Sequence, residues 1–150
     1  MPWIEHTTVD WNHWDLASWL ARPLPEAVLR QFDQPQEAFE IRFLEDLLAC
    51  VGEEPDILTH LGFLYTCTGR HRDALAVDQR LVALRPRDPL AYYNLACSYS
   101  NLKRVARAFA ALKKAFALGY RDIEHMQTDE DLENLRRDPR WNELLNVFNR

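Results

Sequence analysis

Apolar residues recur at helical spacing in two central stretches of the chain. In residues 72–84 they fall three or four positions apart on one helical face, rather than alternating as they would in a strand. Residues 35–50 show the same amphipathic pattern. We therefore predict helices over both stretches, and the apolar positions in 11–21 and 24–32 predict two more towards the N-terminus.

The central pattern repeats at a fixed period. Residues 55–88 can be laid over residues 89–122 without a gap. The matching pairs are Pro55 with Pro89, Leu58 with Tyr92, Leu61 with Leu95, Gly62 with Ala96, Tyr65 with Tyr99, Ala74 with Ala108, Ala83 with Ala117, and Asp88 with Asp122. A period of this length indicates a two-helix unit stacked on its own copy.

Acid–proline dipeptides mark three predicted helix starts. An acidic side chain can cap the free N–H groups of a first turn, and proline is favoured at the first helical position. The dipeptides are Glu54-Pro55, Asp88-Pro89 and Asp138-Pro139, and the last should open the final helix. Gly69 supplies the turn between the two helices of the first unit.

The repeat resembles the tetratricopeptide repeat (TPR), whose hallmark is a large residue, then Leu-Gly, Tyr, Ala and Pro at fixed positions. The first unit has Leu58, Leu61-Gly62, Tyr65, Ala74 and Pro86, and the second has Tyr92, Leu95-Ala96, Tyr99 and Ala108, with Tyr120 in place of proline. Residues 129–141 are similar to a tail, D-x-DL-x-x-L-R-x-D-P-R-aromatic, that often follows the last repeat in small bacterial TPR proteins. The resemblance implies an all-α solenoid of antiparallel helix pairs with helical caps at both ends.

We expect a single TPR domain over residues 1–150, in five parts. They are a Trp-rich N-terminal cap at 1–23, a divergent helix pair at 24–54, repeats at 55–88 and 89–122, and a helical C-terminal cap at 123–150. Two repeats alone bury little apolar surface, so the flanking parts should complete the stack. In the C-terminal cap, the side chains expected to face inward are Trp141, Leu144, Leu145 and Phe148.

Asp78 departs from the repeat pattern. Asp78 and Leu112 share a position at which the family usually has an aromatic residue. A carboxylate there either pairs with an arginine from a neighbouring helix or lies at the rim of the packed surface, and the sequence leaves both options open.

In this family, the first helix of each repeat lines a concave groove. The resemblance implies that the groove residues here are Thr59, His60, Phe63, Thr66, Cys67, Tyr93, Asn94, Cys97 and Asn101. Such a surface is aromatic, nearly uncharged and rich in hydrogen-bonding groups, and it suits an extended or helical peptide. Asn94 either holds the peptide backbone or only fixes the helix geometry. A clamp for a C-terminal carboxylate is not expected, because Thr59 and Phe63 stand where that clamp has Lys and Asn.

The N-terminal segment is unusually rich in tryptophan. Four of the five tryptophans are Trp3, Trp11, Trp14 and Trp19. Three interpretations are open: the segment is an N-terminal cap, a partner-binding or dimer-forming element, or a helix that lies in the protein's own groove. The second interpretation is favoured by tryptophan's frequent role as an anchor at interfaces. The candidate interface residues are Trp11, Trp14, Trp19, Arg80 and Lys114.

The net charge of −5 conceals an uneven distribution. Residues 1–69 carry 12 acids and 3 bases, residues 70–121 carry 3 acids and 11 bases, and residues 122–150 carry 8 acids and 4 bases. Either the acidic ends fold back and neutralise the basic middle, or that middle attracts an acidic partner or another copy of the chain. Nucleic acid is not expected, because the bases are not interleaved with exposed aromatic residues and the whole chain is acidic.

The candidate chemistry favours binding over catalysis. The three cysteines form no C-x-x-C pair, which favours a reducing cytoplasm over a disulfide framework. No apolar run approaches the ~20 residues of a membrane span, and the N-terminal residues carry acids without Lys or Arg, unlike a signal peptide. His60, Cys67 and Cys97 could converge as a soft-metal site, but their spacing matches no ligand motif. We expect no metal, no cofactor and no enzymatic activity.

The sequence therefore predicts a cytoplasmic adaptor or chaperone-like module. Its partner would be a protein or peptide in the groove, an acidic surface on the basic side, or both. The alternative is a self-associating structural protein whose Trp-rich segment docks on a neighbouring subunit. Neither membrane nor nucleic acid is an expected partner.

Overall fold

The computed structural model describes residues 35–148, with side chains as far as residue 146. Regular structure within that range is entirely helical. The elements are α1 (Gln36–Val51), α2 (Pro55–Cys67), α3 (His71–Leu84), α4 (Pro89–Asn101), α5 (Val105–Ala117), α6 (Ile123–Thr128), a 3₁₀ turn (Glu130–Leu132), α7 (Glu133–Arg136) and α8 (Arg140–Phe148). The predictions of helices over 35–50 and 72–84 are confirmed by α1 and α3, whereas the predictions for 11–21 and 24–32 lie outside the described residues.

Two antiparallel helix pairs, α2–α3 and α4–α5, form the centre of this all-α, solenoid-like structure. Gly62, Ala74, Ala96 and Ala108 are all buried, and their small side chains let the helices approach closely. A Cβ atom added to Gly62 would lie 2.9 Å from Asp78 Oδ1. The close approach predicted for the helices of the first pair is therefore present at Gly62.

The acid–proline dipeptides act differently at the three helix starts. Asp88 caps α4, since its Oδ1 accepts hydrogen bonds from the backbone N–H of Leu90 (2.9 Å) and Ala91 (3.4 Å). At α2, Pro55 is the first residue, but the side chain of Glu54 makes no capping hydrogen bond, so that part of the prediction is wrong. The last helix begins at Arg140, whose backbone N–H donates to Asp138 Oδ1 over 3.0 Å.

The turns inside the two helix pairs are alike. Gly69 has a φ of 73°, in the left-handed region, and Lys103, at the equivalent place in the second repeat, has a φ of 57°. In each turn the residue that follows donates its backbone N–H to a tyrosine carbonyl: Arg70 to Tyr65 over 2.7 Å and Arg104 to Tyr99 over 2.8 Å. The repeat therefore preserves the backbone geometry of this turn even where glycine is replaced by lysine.

The C-terminal elements cap the second helix pair. Met126, Leu132, Leu135 and Trp141 are buried in one apolar cluster with residues of α4 and α5. The predicted helical cap is thus confirmed. The inward positions are confirmed for Trp141 and Leu144, which are buried, and for Leu145, which is half-buried and packs against the same cluster. The side chain of Phe148 lies outside the described set.

Acids from the first half of the chain pair with bases of the basic middle. Each pair joins an exposed arginine of the basic segment to an acid before residue 57. The pairs are Arg70 with Glu45 (3.4 Å), Arg80 with Glu53 (2.7 Å) and Arg85 with Asp56 (2.8 Å). These contacts agree with the interpretation that an acidic end neutralises the middle, although exposed pairs add little stability.

Candidate functional site

A cavity of about 370 Å³ lies between α2, α4 and the C-terminal cap. We call it the groove pocket. Its lining residues are Thr59, Gly62, Phe63 and Thr66 of α2, Asp78 of α3, Tyr93, Asn94 and Cys97 of α4, and His125, Asp129 and Asp131 of the cap. First helices of both repeats therefore contribute to one concave site.

Six of the nine sequence-predicted groove residues line this pocket. They are Thr59, Phe63, Thr66, Tyr93, Asn94 and Cys97. The other three lie beside it or apart from it: Asn101 donates a 2.9 Å hydrogen bond to Asp131 Oδ1, His60 is exposed with Nε2 4.0 Å from a Glu40 carboxylate oxygen, and Cys67 is exposed. Contact of any of the nine with a ligand stays a prediction.

The pocket offers an apolar edge and an unengaged amide. The side chain of Phe63 is 64% exposed, although it belongs to a helix whose neighbouring residues are buried. Asn94 is half-buried, and its amide makes no hydrogen bond within residues 35–148. The hydroxyls of Thr59 and Thr66 are instead engaged with backbone carbonyls of their own helix, at 2.9 and 3.0 Å. Phe63 thus presents an exposed ring at the pocket, and Asn94 presents an amide that no described residue engages.

Asp129 joins the cap to α4. Its Oδ2 accepts a 2.5 Å hydrogen bond from Tyr93 Oη, and lies 3.7 Å from Cys97 Sγ and 3.6 Å from His125 Nε2. Its Oδ1 accepts from the backbone N–H of Asp131 over 3.0 Å. Burial raises the pKa of Tyr93, and the neighbouring Cys97 and Asp129 raise it further, so the phenol stays protonated and donates.

Asp78 is a buried carboxyl group at the pocket. It is 3% exposed, and its Oδ2 accepts a 2.6 Å hydrogen bond from Ser98 Oγ of α4, which is its only hydrogen-bond partner in the described part of the chain. Both options drawn from the sequence are wrong, because no described arginine pairs with Asp78 and it does not lie at a rim. Burial raises the pKa of Asp78 to about 6, and the Ser98 hydrogen bond opposes that rise.

The pocket is also more acidic than the sequence suggested. The sequence predicts a nearly uncharged surface, because the resemblance points only to residues of α2 and α4. Asp78 enters from α3, and Asp129 and Asp131 enter from the cap. The prediction of an uncharged groove is therefore wrong for this pocket.

One group of side chains at the pocket has the composition of a metal site. Ligand atoms of Cys97, Asp129 and Asp131 lie within 4.8 Å of one another. However, burial and the nearby Asp129 and Asp131 raise the pKa of the Cys97 thiol, whereas metal binding requires the thiolate. Both oxygens of Asp129 already accept hydrogen bonds. The donors are thus engaged with one another, and the grouping of His60 and Cys67 with Cys97 is not formed among residues 35–148.

The candidate interface residues have separate surroundings. Arg80 pairs with Glu53, and the Lys114 ammonium lies 5.9 Å from the centre of the Tyr92 ring. Trp11, Trp14 and Trp19 lie outside the described residues. Their role at an interface stays a prediction.

Comparisons with known proteins agree with this architecture. Residues 90–121 match the family model of the tetratricopeptide repeat. The chain is similar to a protein of Arabidopsis thaliana whose name describes it as chloroplastic, with 32% identity over 90 residues. That match covers 58% of this chain and 27% of the relative, so the chain spans about a quarter of the relative's length. The likeness of residues 129–141 to a bacterial tail stays a prediction.

The residues that sequence reasoning missed come from outside the first helices. Ser98 and Asp78 meet across the interface between repeats, and the odd aspartate was the one signal of that contact. His125, Asp129 and Asp131 lie beyond the second repeat, so the overlay of repeats could not place them.

No helix in the described range is long and apolar enough to cross a bilayer.

Proposed function

We propose that this protein is a binding module, adaptor or chaperone-like, that holds a peptide or protein segment in the groove pocket. The observation that carries the proposal is that side chains from both first helices and from the cap surround one cavity of about 370 Å³. Tetratricopeptide repeats generally bind other proteins or peptides, and residues 90–121 match that family. The action proposed is binding rather than catalysis.

The chemistry of the pocket supports a peptide ligand. An exposed phenyl ring at Phe63 can pack against an apolar side chain, and the unengaged amide of Asn94 can exchange hydrogen bonds with a peptide backbone. All three cysteines are free, which is consistent with the proposed cytoplasmic location.

Selection of displayed random peptides on the full-length protein tests this proposal. Affinities of the enriched peptides are then measured for wild type, for the double variant Phe63→Ala/Asn94→Ala, and for Phe39→Ala. The last is a matched control, since Phe39 is an exposed phenylalanine of α1 that does not line the pocket. We expect the double variant to lose about tenfold or more in affinity, while the control binds as wild type does.

Two results would contradict the proposal. One is that no peptide is enriched, and the other is that enriched peptides bind the double variant as tightly as wild type. Circular dichroism of each variant checks that the helical fold is kept. Light scattering over a range of protein concentrations tests the self-associating alternative, which requires a mass above that of the monomer.

A further inference from the structure

The groove pocket has an excess of negative charge. Asp78, Asp129 and Asp131 line it, and no Lys or Arg belongs to its lining in the described part of the chain. The arginines of the basic middle that pair with acids do so away from it, as Arg80 does with Glu53. A concave site lined by charges of one sign strengthens the local potential and favours a ligand of the opposite sign.

Asp78 has spare capacity to accept hydrogen bonds. A carboxylate offers about four acceptor positions, and in residues 35–148 only Ser98 donates to it. Burying a charge with so few partners is costly, and a donor from a ligand would offset that cost. Asp129 differs in this respect, since both of its oxygens accept hydrogen bonds from neighbouring groups.

Gly62 places no side chain beside Asp78 at the pocket. The position of a Cβ atom at Gly62 lies 2.9 Å from Asp78 Oδ1, so any side chain there would press on that oxygen. Both residues line the cavity. The carboxyl oxygen that accepts no hydrogen bond from the described residues is therefore the one beside the missing side chain.

In the second repeat, the equivalent positions carry apolar residues that pack in the core. Ala96 is the counterpart of Gly62 in the overlay of the repeats, and Leu112 is the counterpart of Asp78. Both Ala96 and Leu112 are fully buried in the apolar core. The two repeats thus differ where the first carries a carboxylate next to the pocket, and ordinary core packing does not require that difference.

We propose that the groove pocket receives a cationic side chain, Arg or Lys, from the bound segment, with Asp78 as its principal partner. The exposed ring of Phe63 lies at the same pocket and packs against the aliphatic stem of that side chain. This inference rests on the proposed peptide-binding function and names its specificity.

Synthetic peptide pools test the inference. Short acetylated and amidated peptides with degenerate flanks carry a fixed central residue: Arg, Lys, citrulline, norleucine or Glu. Citrulline and norleucine keep the shape of Arg and Lys without the charge. Each pool is passed near neutral pH over the immobilised full-length wild type, Asp78→Asn, Gly62→Ala and the control Asp73→Asn. Asp73 lies on the same helix as Asp78, is exposed, and does not line the pocket.

We expect wild type and Asp73→Asn to retain the Arg and Lys pools about tenfold more than the citrulline and norleucine pools. Asp78→Asn should reduce that preference to within about twofold by removing the charge. Gly62→Ala should reduce it as well, because the methyl group covers Oδ1 while the carboxyl group is kept. Circular dichroism confirms the fold of each variant, and the use of two unlike variants guards against the failure of either one.

Other outcomes separate this inference from the proposed function. Equal retention of all pools, a preference for Glu, or a cation preference that survives both variants would overturn the inference and leave peptide binding standing. Failure of wild type to retain any pool would overturn both.

Discussion

Asp78 should make the stability of this protein depend on pH in a defined direction. Burial raises the pKa of Asp78 from an ordinary value of 3.8 to about 6. The native state therefore holds the proton more tightly than the unfolded chain does. The stability that the native state gains from this tighter proton binding is fully present below the pKa of Asp78 in the unfolded chain, near 4. It is lost as pH rises through the pKa of Asp78 in the folded chain, about 6.

The magnitude follows from the size of the pKa change. At about 1.4 kcal/mol for each tenfold change in proton affinity, ionised Asp78 costs the native state about 3 kcal/mol. Asp78→Asn keeps a similar shape and removes the charge. We expect the variant to become more stable relative to wild type as pH rises. The difference in free energy of unfolding should grow by about 2 kcal/mol between about pH 4 and about pH 7.5.

Urea unfolding followed by circular dichroism, at a series of pH values, measures this difference. The control is Asp73→Asn on the same helix, where the carboxylate is exposed and pairs with Arg70. Its difference from wild type should stay within about 1 kcal/mol throughout. A difference between Asp78→Asn and wild type that does not change with pH would refute the reasoning, since it would mean that Asp78 ionises equally well in the folded and unfolded chains.

Three further predictions concern the repeat and its cap. Gly62→Ala should destabilise the protein in urea unfolding, because the methyl group crowds Asp78 Oδ1, but it should stabilise the Asp78→Ala variant by about 1 kcal/mol through helix propensity; an equal effect in both backgrounds would argue against this contact. Tyr93→Phe should cost about 2 kcal/mol, because the Asp129 carboxylate loses a short hydrogen bond, and should speed amide exchange in the cap; unchanged exchange there would contradict the role of Asp129. Lys103→Gly should raise the thermal midpoint, by relieving a left-handed residue at a net gain of about 0.5 kcal/mol, and a lower midpoint would count against that account.

The repeat made the central helices predictable. The regular period, the apolar faces and the small residues at the contacts predicted where α2 to α5 lie, and the Asp88 cap formed as expected. Predictions made from local residue chemistry were less reliable where contacts between elements determine the conformation. Glu54 stands at a helix start without capping it, and Lys103 adopts a φ that is costly for any residue with a side chain. Only the overlay of Lys103 on Gly69 could have pointed to the second case.

The pocket was predictable only in part, for a topological reason. The family resemblance predicts which faces of α2 and α4 share a groove, and residues such as Phe63 and Asn94 line one cavity. The acidic wall depends on how residues after 122 fold back onto α4, and no repeat fixes that path. The contact between Asp78 and Ser98 depends on packing between neighbouring repeats, and a pattern within one unit cannot show it.

Because Asp129 and Asp131 both line the groove pocket and belong to the cap, anything bound against them senses whether the cap is seated. Linkage then works in both directions: the factor by which a seated cap tightens a ligand equals the factor by which that ligand favours the seated cap. A substitution at Trp141, which is buried in the cap's apolar cluster but does not line the pocket, would accordingly weaken binding without touching the ligand. The affinity for a ligand held in the proposed site would therefore depend on how well the last helices are packed.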